Sequence, residues 1–585
     1  MEVFELLKDS IKKAVKKVYK IDVKEVVLEH PENEDFGDFA TSVALSLAKQ
    51  VGANPLEIAE GLAGELTSMG MEFKSDGSAY PIFEKIEAVK PGFVNFTLST
   101  EWLKQELIHV YEKKEEYGSS DIGGGKNVLI EYSQPNTNKP QHVGHARNNF
   151  IGATLINLME FLGYKVIRAN YVGDIGIHIA KSMLMYQKYG EGKNPDIKPD
   201  HFVGDFYIRY FQELEDHPEY EEEAAELLRK WESKDQETRE LWQKMNDWVY
   251  EGWKQTYEDQ GVEFDIWTYE SDDIEGGKEM VDEAVKKGVA ERDESGAVIA
   301  KLEKYGLPDK VLLRSDGTSV YATKDLFLAK DNFDKYNFEK RLYVVDFRQG
   351  DYFKQVFKVL ELMGYEWAKK LYHVSYGTVT LPEGAMSSRK GNFVNADDVF
   401  ERIIKVEKGE IKNSLKEVSD IEETSRKVAL AAFKYGMLKV DPKQDIVFEY
   451  DKVTKFEGNT GPYLMYSYAR TQSILEKGGF VESKFTFNLE MIEGASLEKV
   501  EKDILRSLYK FPEIVFEAGE KFMSHVLANY LYDLSQRFNA FYGQIPILSA
   551  EDSGVKTFRV GLTNCVGDVL KTGLRLLGIE VVEKM

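Results

Sequence analysis

Residues 131–145 bring together the carboxylate Glu131, several side-chain amides, Lys139 and the histidines His142 and His145. Pro135 and Pro140 interrupt regular structure, and Gly144 between the histidines lets backbone approach a bulky ligand. Between a strand and a helix, such a turn suits a nucleotide phosphate, because free N–H groups and the helix dipole favour negative charge there. Two histidines three apart in a loop also fit plain solvent-facing side chains, so the spacing alone does not assign them. A second segment, 384–392, is small, hydroxylated and cationic, with Met386, Ser387, Ser388, Arg389 and Lys390. Loops of this composition can close over a polyphosphate, the cations countering charge while the hydroxyls donate hydrogen bonds. Taken alone, it reads equally as a surface loop. A Walker phosphate loop is excluded, since Gly125 and Lys126 are followed by Asn127 and the glycine five positions earlier is missing.

These groups need a frame. Short apolar runs at 128–132, 166–172, 342–347 and 371–380, with helical spacing at 149–161, alternate as expected for a doubly wound parallel sheet. We expect a multidomain α/β protein whose Rossmann-type core spans 118–424. Within it, about 190–300 is read as a helical insertion, because 221–257 is highly charged with apolar positions at Leu241, Met245 and Trp248. Ahead of the core, Phe4, Leu7, Ile11, Val15 and Val18 have helical spacing, and 93–98 alternates like a strand after Pro91 and Gly92. An N-terminal α/β module over 1–117 follows from this. Helical periodicity dominates 425–585, which predicts an all-α C-terminal domain.

The 585 residues and 66.9 kDa suggest three to four domains at about 150 residues each. A net charge of −24 argues against non-specific coating of nucleic acid, which rests on basic surface. It leaves room for a tailored site, because exposed charges are screened over roughly 8 Å. The single cysteine, Cys565, makes neither an internal disulfide nor a thiolate zinc site, so a reducing cytoplasm is expected and zinc is not. An N-terminal signal and an apolar run of about 18 residues are both lacking, so neither export nor a membrane partner is expected.

Taken as a pair, 142–145 and 384–392 resemble the two signature motifs of class I aminoacyl-tRNA synthetases, in the expected order on the expected fold. The flanks narrow the match. Ser133 to Pro140, Tyr321 to Leu326, Phe456 to Tyr463 and Gly37 to Thr41 look like arginyl-tRNA synthetases, so the resemblance covers essentially the whole chain. It implies arginyl-adenylate formation from ATP, with magnesium, followed by transfer of the arginyl group to the terminal adenosine of tRNA. It also implies that activation itself needs tRNA.

On that resemblance His142 and His145 are expected to donate to the α-phosphate, and Gly144 to border the nucleotide beside Met386, Ser387, Ser388, Arg389 and Lys390. The sequence departs from the family where Ala385 replaces the first loop lysine. Relatives lacking that lysine share an upstream one, and Lys139 matches it. A guanidinium calls for a carboxylate in fork geometry, and Asp325 with Tyr321 matches the family's side-chain pocket, beside Gln349. Glu131 and Asn136 match the residues around the substrate's α-ammonium and carboxylate. Tyr352 stands where many relatives have histidine. Phe93 and Asn95 resemble a contact to a D-loop base, the role expected of the N-terminal module. Tyr463, Tyr466 and Arg470 share a helical face and match the anticodon site, with Met585 at the terminal position the family also uses. A monomer is expected. Two other readings remain: a small-molecule nucleotidyltransferase, which would not need the helical domain, and a non-catalytic tRNA-binding paralogue.

Overall fold

The structure is a computed structural model and describes residues 2–75, 78–272, 274–382, 394–413, 420–481, 485 and 487–585. Its centre is a five-stranded parallel sheet in the order Leu371–Tyr376, Lys340–Asp346, Asn127–Glu131, Lys165–Val172, Ile266–Tyr269. The strand that comes first in the chain is therefore central, with later strands added outward on both sides. Val128, Leu129 and Ile130 are all buried, as required of a strand covered on both faces. The direction of winding reverses between Asn127–Glu131 and Lys340–Asp346, and the carboxyl ends of those two strands frame the crevice where doubly wound sheets bind ligands. Helix Val143–Phe161 leaves the central strand and crosses to Lys165–Val172.

The stretch at 190–300, expected to be helical, is helical over most of its length but also carries strands in its second half. Helices Pro199–Glu213, Tyr220–Glu232 and Gln236–Gln260 form the insertion, after which Ile266–Tyr269 returns to the core sheet. Helix Ile274–Lys286 and an antiparallel sheet of Ala290–Arg292, Val298–Ala300 and Lys310–Leu313 follow. Ile266–Tyr269 escapes a pattern search because it has four residues, each only partly buried, and so shows neither alternation nor an apolar run.

The N-terminal module is an antiparallel sheet in the order Leu28–Glu29, Phe39–Thr41, Phe93–Leu98, Phe83–Val89, packed under helices Glu2–Tyr19, Val43–Val51 and Pro55–Ser68. Helix Thr100–Lys113, capped by Ser99, runs from this module onto the C-terminal helices Lys499–Glu520 and Ser553–Leu576. Arg506 pairs with Asp38 at 2.8 Å, and His30 meets Glu513 at 2.9 Å. The N-terminal module thus sits on the helical domain. Among the described residues, no helix is long and apolar enough to cross a membrane.

Candidate active site

Beyond Glu131 the chain turns sharply. Ser133 and Gln134 adopt φ of 73° and 50°, a conformation that costs energy for residues with a side chain. Helix and sheet hold it: the Ser133 N–H donates to Asn148 Oδ1 at 2.7 Å, the Gln134 N–H to Asn170 Oδ1 at 3.2 Å, and the Ser133 hydroxyl meets the Tyr257 hydroxyl at 2.7 Å. This delivers His142 to the N-cap of helix Val143–Phe161. Its Nδ1 accepts from the Gly144 N–H at 3.1 Å, and its own N–H donates to Nδ1 of His145 at 3.2 Å. A Cβ at position 144 would stand 2.9 Å from the His142 ring, so glycine is what lets the cap close.

The protonation of the pair follows. Each Nδ1 is an acceptor, so in each neutral ring the proton sits on Nε2. Burial, reinforced by Lys139, pushes His142 down to about 3. Burial, then His142 and Lys139, holds His145 well below the usual imidazole range. The rings stack with centroids 3.9 Å apart and planes 22° from parallel. At neutral pH this gives two uncharged Nε2–H donors at a helix N-terminus, a geometry able to stabilise charge growing on a phosphate oxygen.

Lys139 belongs to the same cluster. Burial lowers its ammonium pKa, its charge depresses both histidines, and its carbonyl accepts from the Trp253 indole at 3.3 Å. It acts likewise on His178, held at about 4 by burial and then by Lys139 and Lys181. Nε2 of His178 is buried without a hydrogen-bond partner among the described residues. His178 carried no role in the sequence analysis, although Gly173 and Gly176 precede it just after strand Lys165–Val172. Met386, Ser387, Ser388, Arg389 and Lys390 lie outside the described residues. The chain leaving that loop is laced to the histidine turn, with Val143 N–H donating to Val394 O at 3.2 Å and Ala396 N–H to Gln141 O at 2.9 Å.

On the other side of the crevice are carboxylates. Tyr321 opens helix Tyr321–Tyr336, and Asp325 lies one turn further on. Glu131 Oε2 takes a bond from Arg341 at 2.7 Å, and Oε1 one from Gln134 at 2.9 Å. Glu270 is paired with Lys324 at 3.0 Å. Asp325 has no ion pair among the described residues; the Tyr352 hydroxyl donates to its Oδ2. Burial pushes Asp325 up to about 7, with Glu131 and Glu270 adding to the effect and Tyr352 and Arg341 opposing it. A buried carboxylate among paired acids, with no ion pair among the described residues, has the chemistry to accept a cationic group. Tyr321 is 64% exposed and free to lie against such a ligand. Gln349 is exposed at the turn Phe347–Gln349 that follows strand Lys340–Asp346, while Asn136 bridges to Gly173. Arg341, Tyr352 and Lys310, whose ammonium lies 4.2 Å from the Tyr352 ring, were not assigned from the sequence. Arg341 had a signal, since a charge within an apolar strand needs a buried partner.

Asp200, His201 and Asp397 offer ligand atoms within 4.8 Å of one another. The Lys198 ammonium already lies 2.6 Å from Asp397 and 3.4 Å from Asp200, which makes this an ion-pair cluster. In the N-terminal module, Phe93 and Asn95 line a cleft of about 370 Å³ with Phe36, Asn33 and Lys90, and Oδ1 of Asn95 is buried without a partner among the described residues. In the helical domain the Arg470 guanidinium lies 4.8 Å from the Tyr466 ring and 4.9 Å from Tyr542, and it donates to Asn539, which in turn donates to the Tyr463 hydroxyl at 2.9 Å. Met585 is 5% exposed, and its side chain joins the hydrophobic core, as an apolar chain end does in water.

Residues 106–450 match the family described as tRNA synthetases class I (R), catalytic domain. Residues 5–98 match the arginyl tRNA synthetase N terminal domain, and 464–585 the DALR anticodon binding domain. An arginine–tRNA ligase of Phocaeicola vulgatus is 39% identical with both chains fully covered, and one of Treponema denticola is 37% identical over 97% of this chain and 96% of its own. The solved arginyl-tRNA synthetase of Thermus thermophilus superposes with a TM-score of 0.81 at 27% identity, covering 99% of this chain and 100% of that one.

Proposed function

Because the chain belongs to the arginyl-tRNA synthetases, class I enzymes that charge tRNA with arginine at the expense of ATP, we propose that the turn at 131–145 and the cluster around Asp325 are the two halves of its active site. In the first step the arginine carboxylate attacks the α-phosphate, giving arginyl-adenylate and pyrophosphate. In the second, a hydroxyl of the terminal tRNA adenosine takes the arginyl group and AMP leaves.

His142 and His145 donate through Nε2–H to the α-phosphate oxygens as charge grows there, giving up no proton and needing none. Lys139 supplies the cation that Ala385 does not, acting with Arg389 and Lys390 on the departing phosphates. Asp325 takes the guanidinium, Tyr321 and Gln349 flank it, and Glu131, held in place by Arg341, meets the α-ammonium beside Asn136. Phe93 and Asn95 receive a tRNA base, and Tyr463, Tyr466 and Arg470 read the anticodon. Magnesium accompanying ATP, a monomer, a cytoplasmic location and tRNA-dependent activation complete the proposal.

The observation that carries this reading is the stacked, neutral histidine pair capping the helix that leaves the central strand. Single-turnover formation of arginyl-adenylate with tRNA present tests it. His142→Ala or His145→Ala is expected to slow the step about a hundredfold, on the order of 3 kcal/mol, as for loss of one oxyanion donor. Lys139→Ala should slow it as well. Adenylate formation at the unaltered rate in all three variants would remove the assignment.

A further inference from the structure

The two oxygens of Asp325 have different surroundings. Oδ2 accepts from the Tyr352 hydroxyl, and Oδ1 has no hydrogen bond from the described residues. Tyr352 lies in the first turn of helix Gly350–Leu362, whereas Asp325 is on helix Tyr321–Tyr336, so the bond ties two elements across the mouth of the crevice. Its ring is held in turn by Phe353, edge-on at 5.4 Å, and by the Lys310 ammonium at 4.2 Å. Burial and then Asp325 keep the phenol pKa well above its ordinary value, so at working pH Tyr352 is a donor.

A carboxylate only accepts hydrogen bonds, whereas a protonated carboxyl both donates and accepts. Ionised Asp325 suits the guanidinium of arginine, whose groups are all donors. It repels the carbonyl oxygen of citrulline, the neutral ureido isostere, which a protonated carboxyl would instead satisfy. Discrimination between the two therefore depends on the form Asp325 takes. The charged and titratable groups facing it are Glu131, Glu270, Arg341 and Tyr343 from the sheet side, Lys310 from the small antiparallel sheet, Tyr321 on its own helix, and Tyr352. Burial, Glu131 and Glu270 favour the neutral form, while Arg341, Lys310 and the Tyr352 hydrogen bond favour the carboxylate.

We propose that Tyr352 is the positioning residue that sets specificity: by occupying Oδ2 it fixes the carboxylate, keeps it ionised, and leaves Oδ1 to the cationic substrate, so that arginine is chosen over citrulline. This rests on the assignment of Asp325 as the guanidinium partner.

The test uses the full chain with tRNA, measuring kcat and KM for arginine and Ki for citrulline from pH 6 to 9. In the unaltered enzyme the arginine KM should rise, and the preference over citrulline fall, as pH drops through about 7. In Tyr352→Phe both changes should begin about one pH unit higher, costing about fivefold in arginine KM and about tenfold in preference at pH 7 with kcat little altered. Tyr352→His, which keeps an N–H donor, should restore most of the preference, and it decides the matter if the phenylalanine variant does not fold. If Tyr352→Phe keeps the original KM, pH profile and preference while Asp325→Ala loses arginine binding, the inference is overturned and the site assignment stands. An Asp325→Ala enzyme that still selects arginine would overturn the assignment itself.

Discussion

At the scale of single residues, the site is a set of charges whose partners decide what they can do. Glu131 and Glu270 are paired with Arg341 and Lys324, whereas Asp325 has no ion pair among the described residues and is the group proposed to take the substrate's cation. Burying this carboxylate costs stability in a pH-dependent way. Burial raises Asp325 from 3.8 to about 7 in the folded chain, so folding favours its neutral form. The associated stability is fully present below about pH 4 and is lost as pH rises through about 7. Asp325→Asn is therefore expected to melt at higher temperature than the unaltered chain at pH 8 without ligand, with the difference vanishing toward pH 4, while arginine activation is abolished. Thermal unfolding at both pH values checks the sign. His142, His145, Asp325 and Glu131 were singled out by the family resemblance of the segments that hold them, not by type and spacing alone. Arg341 and Tyr352 were not legible as partners, because Arg341 lies 210 residues from Glu131 and nothing local pairs them.

At the scale of elements, helix Val143–Phe161 organises the centre; helical spacing was legible only over 149–161, and the helix starts six residues earlier, at the histidine turn. Its inner face was not legible. Arg147 is fully buried and donates to Gly377 O at 2.7 Å and Pro442 O at 3.1 Å, fastening the helix to the chain after strand Leu371–Tyr376 and to the entry of Ile446–Val447. Asn148, the next residue, donates to Val344 O at 2.7 Å and so fixes the helix to strand Lys340–Asp346. Arg147→Met would leave the Gly377 carbonyl without this donor, while Pro442 O still accepts from the Gly377 N–H at 2.8 Å. It is expected to cost about 1 to 3 kcal/mol, read as a lower urea midpoint, and an unchanged midpoint would mean that water replaces the guanidinium freely. The parallel sheet was legible because four of its strands are apolar runs. The edge strand Ile266–Tyr269 was not, since an edge position leaves it half-covered.

At the scale of the whole molecule, the N-terminal module rests on the helical domain through Asp38–Arg506 and His30–Glu513, and the catalytic sheet lies between them in sequence. The order of domains was legible from the change of periodicity along the chain; these contacts between distant segments were not. The Arg470 guanidinium lies between Tyr466 and Tyr542, an arrangement that on the proposed reading receives an unpaired base. Arg470→Ala should raise the KM for tRNA roughly tenfold to a hundredfold, equivalent to about 1–3 kcal/mol of stacking, with the arginine KM unchanged. A loss of arginine affinity instead would mean that the platform serves the fold. The most direct test of the account is ATP–pyrophosphate exchange with each of the twenty amino acids, with and without tRNA, in the unaltered chain and in Asp325→Ala. The account predicts exchange with arginine alone, dependent on tRNA and lost in the variant. Exchange driven by another amino acid, or arginine exchange that survives in Asp325→Ala, would contradict it.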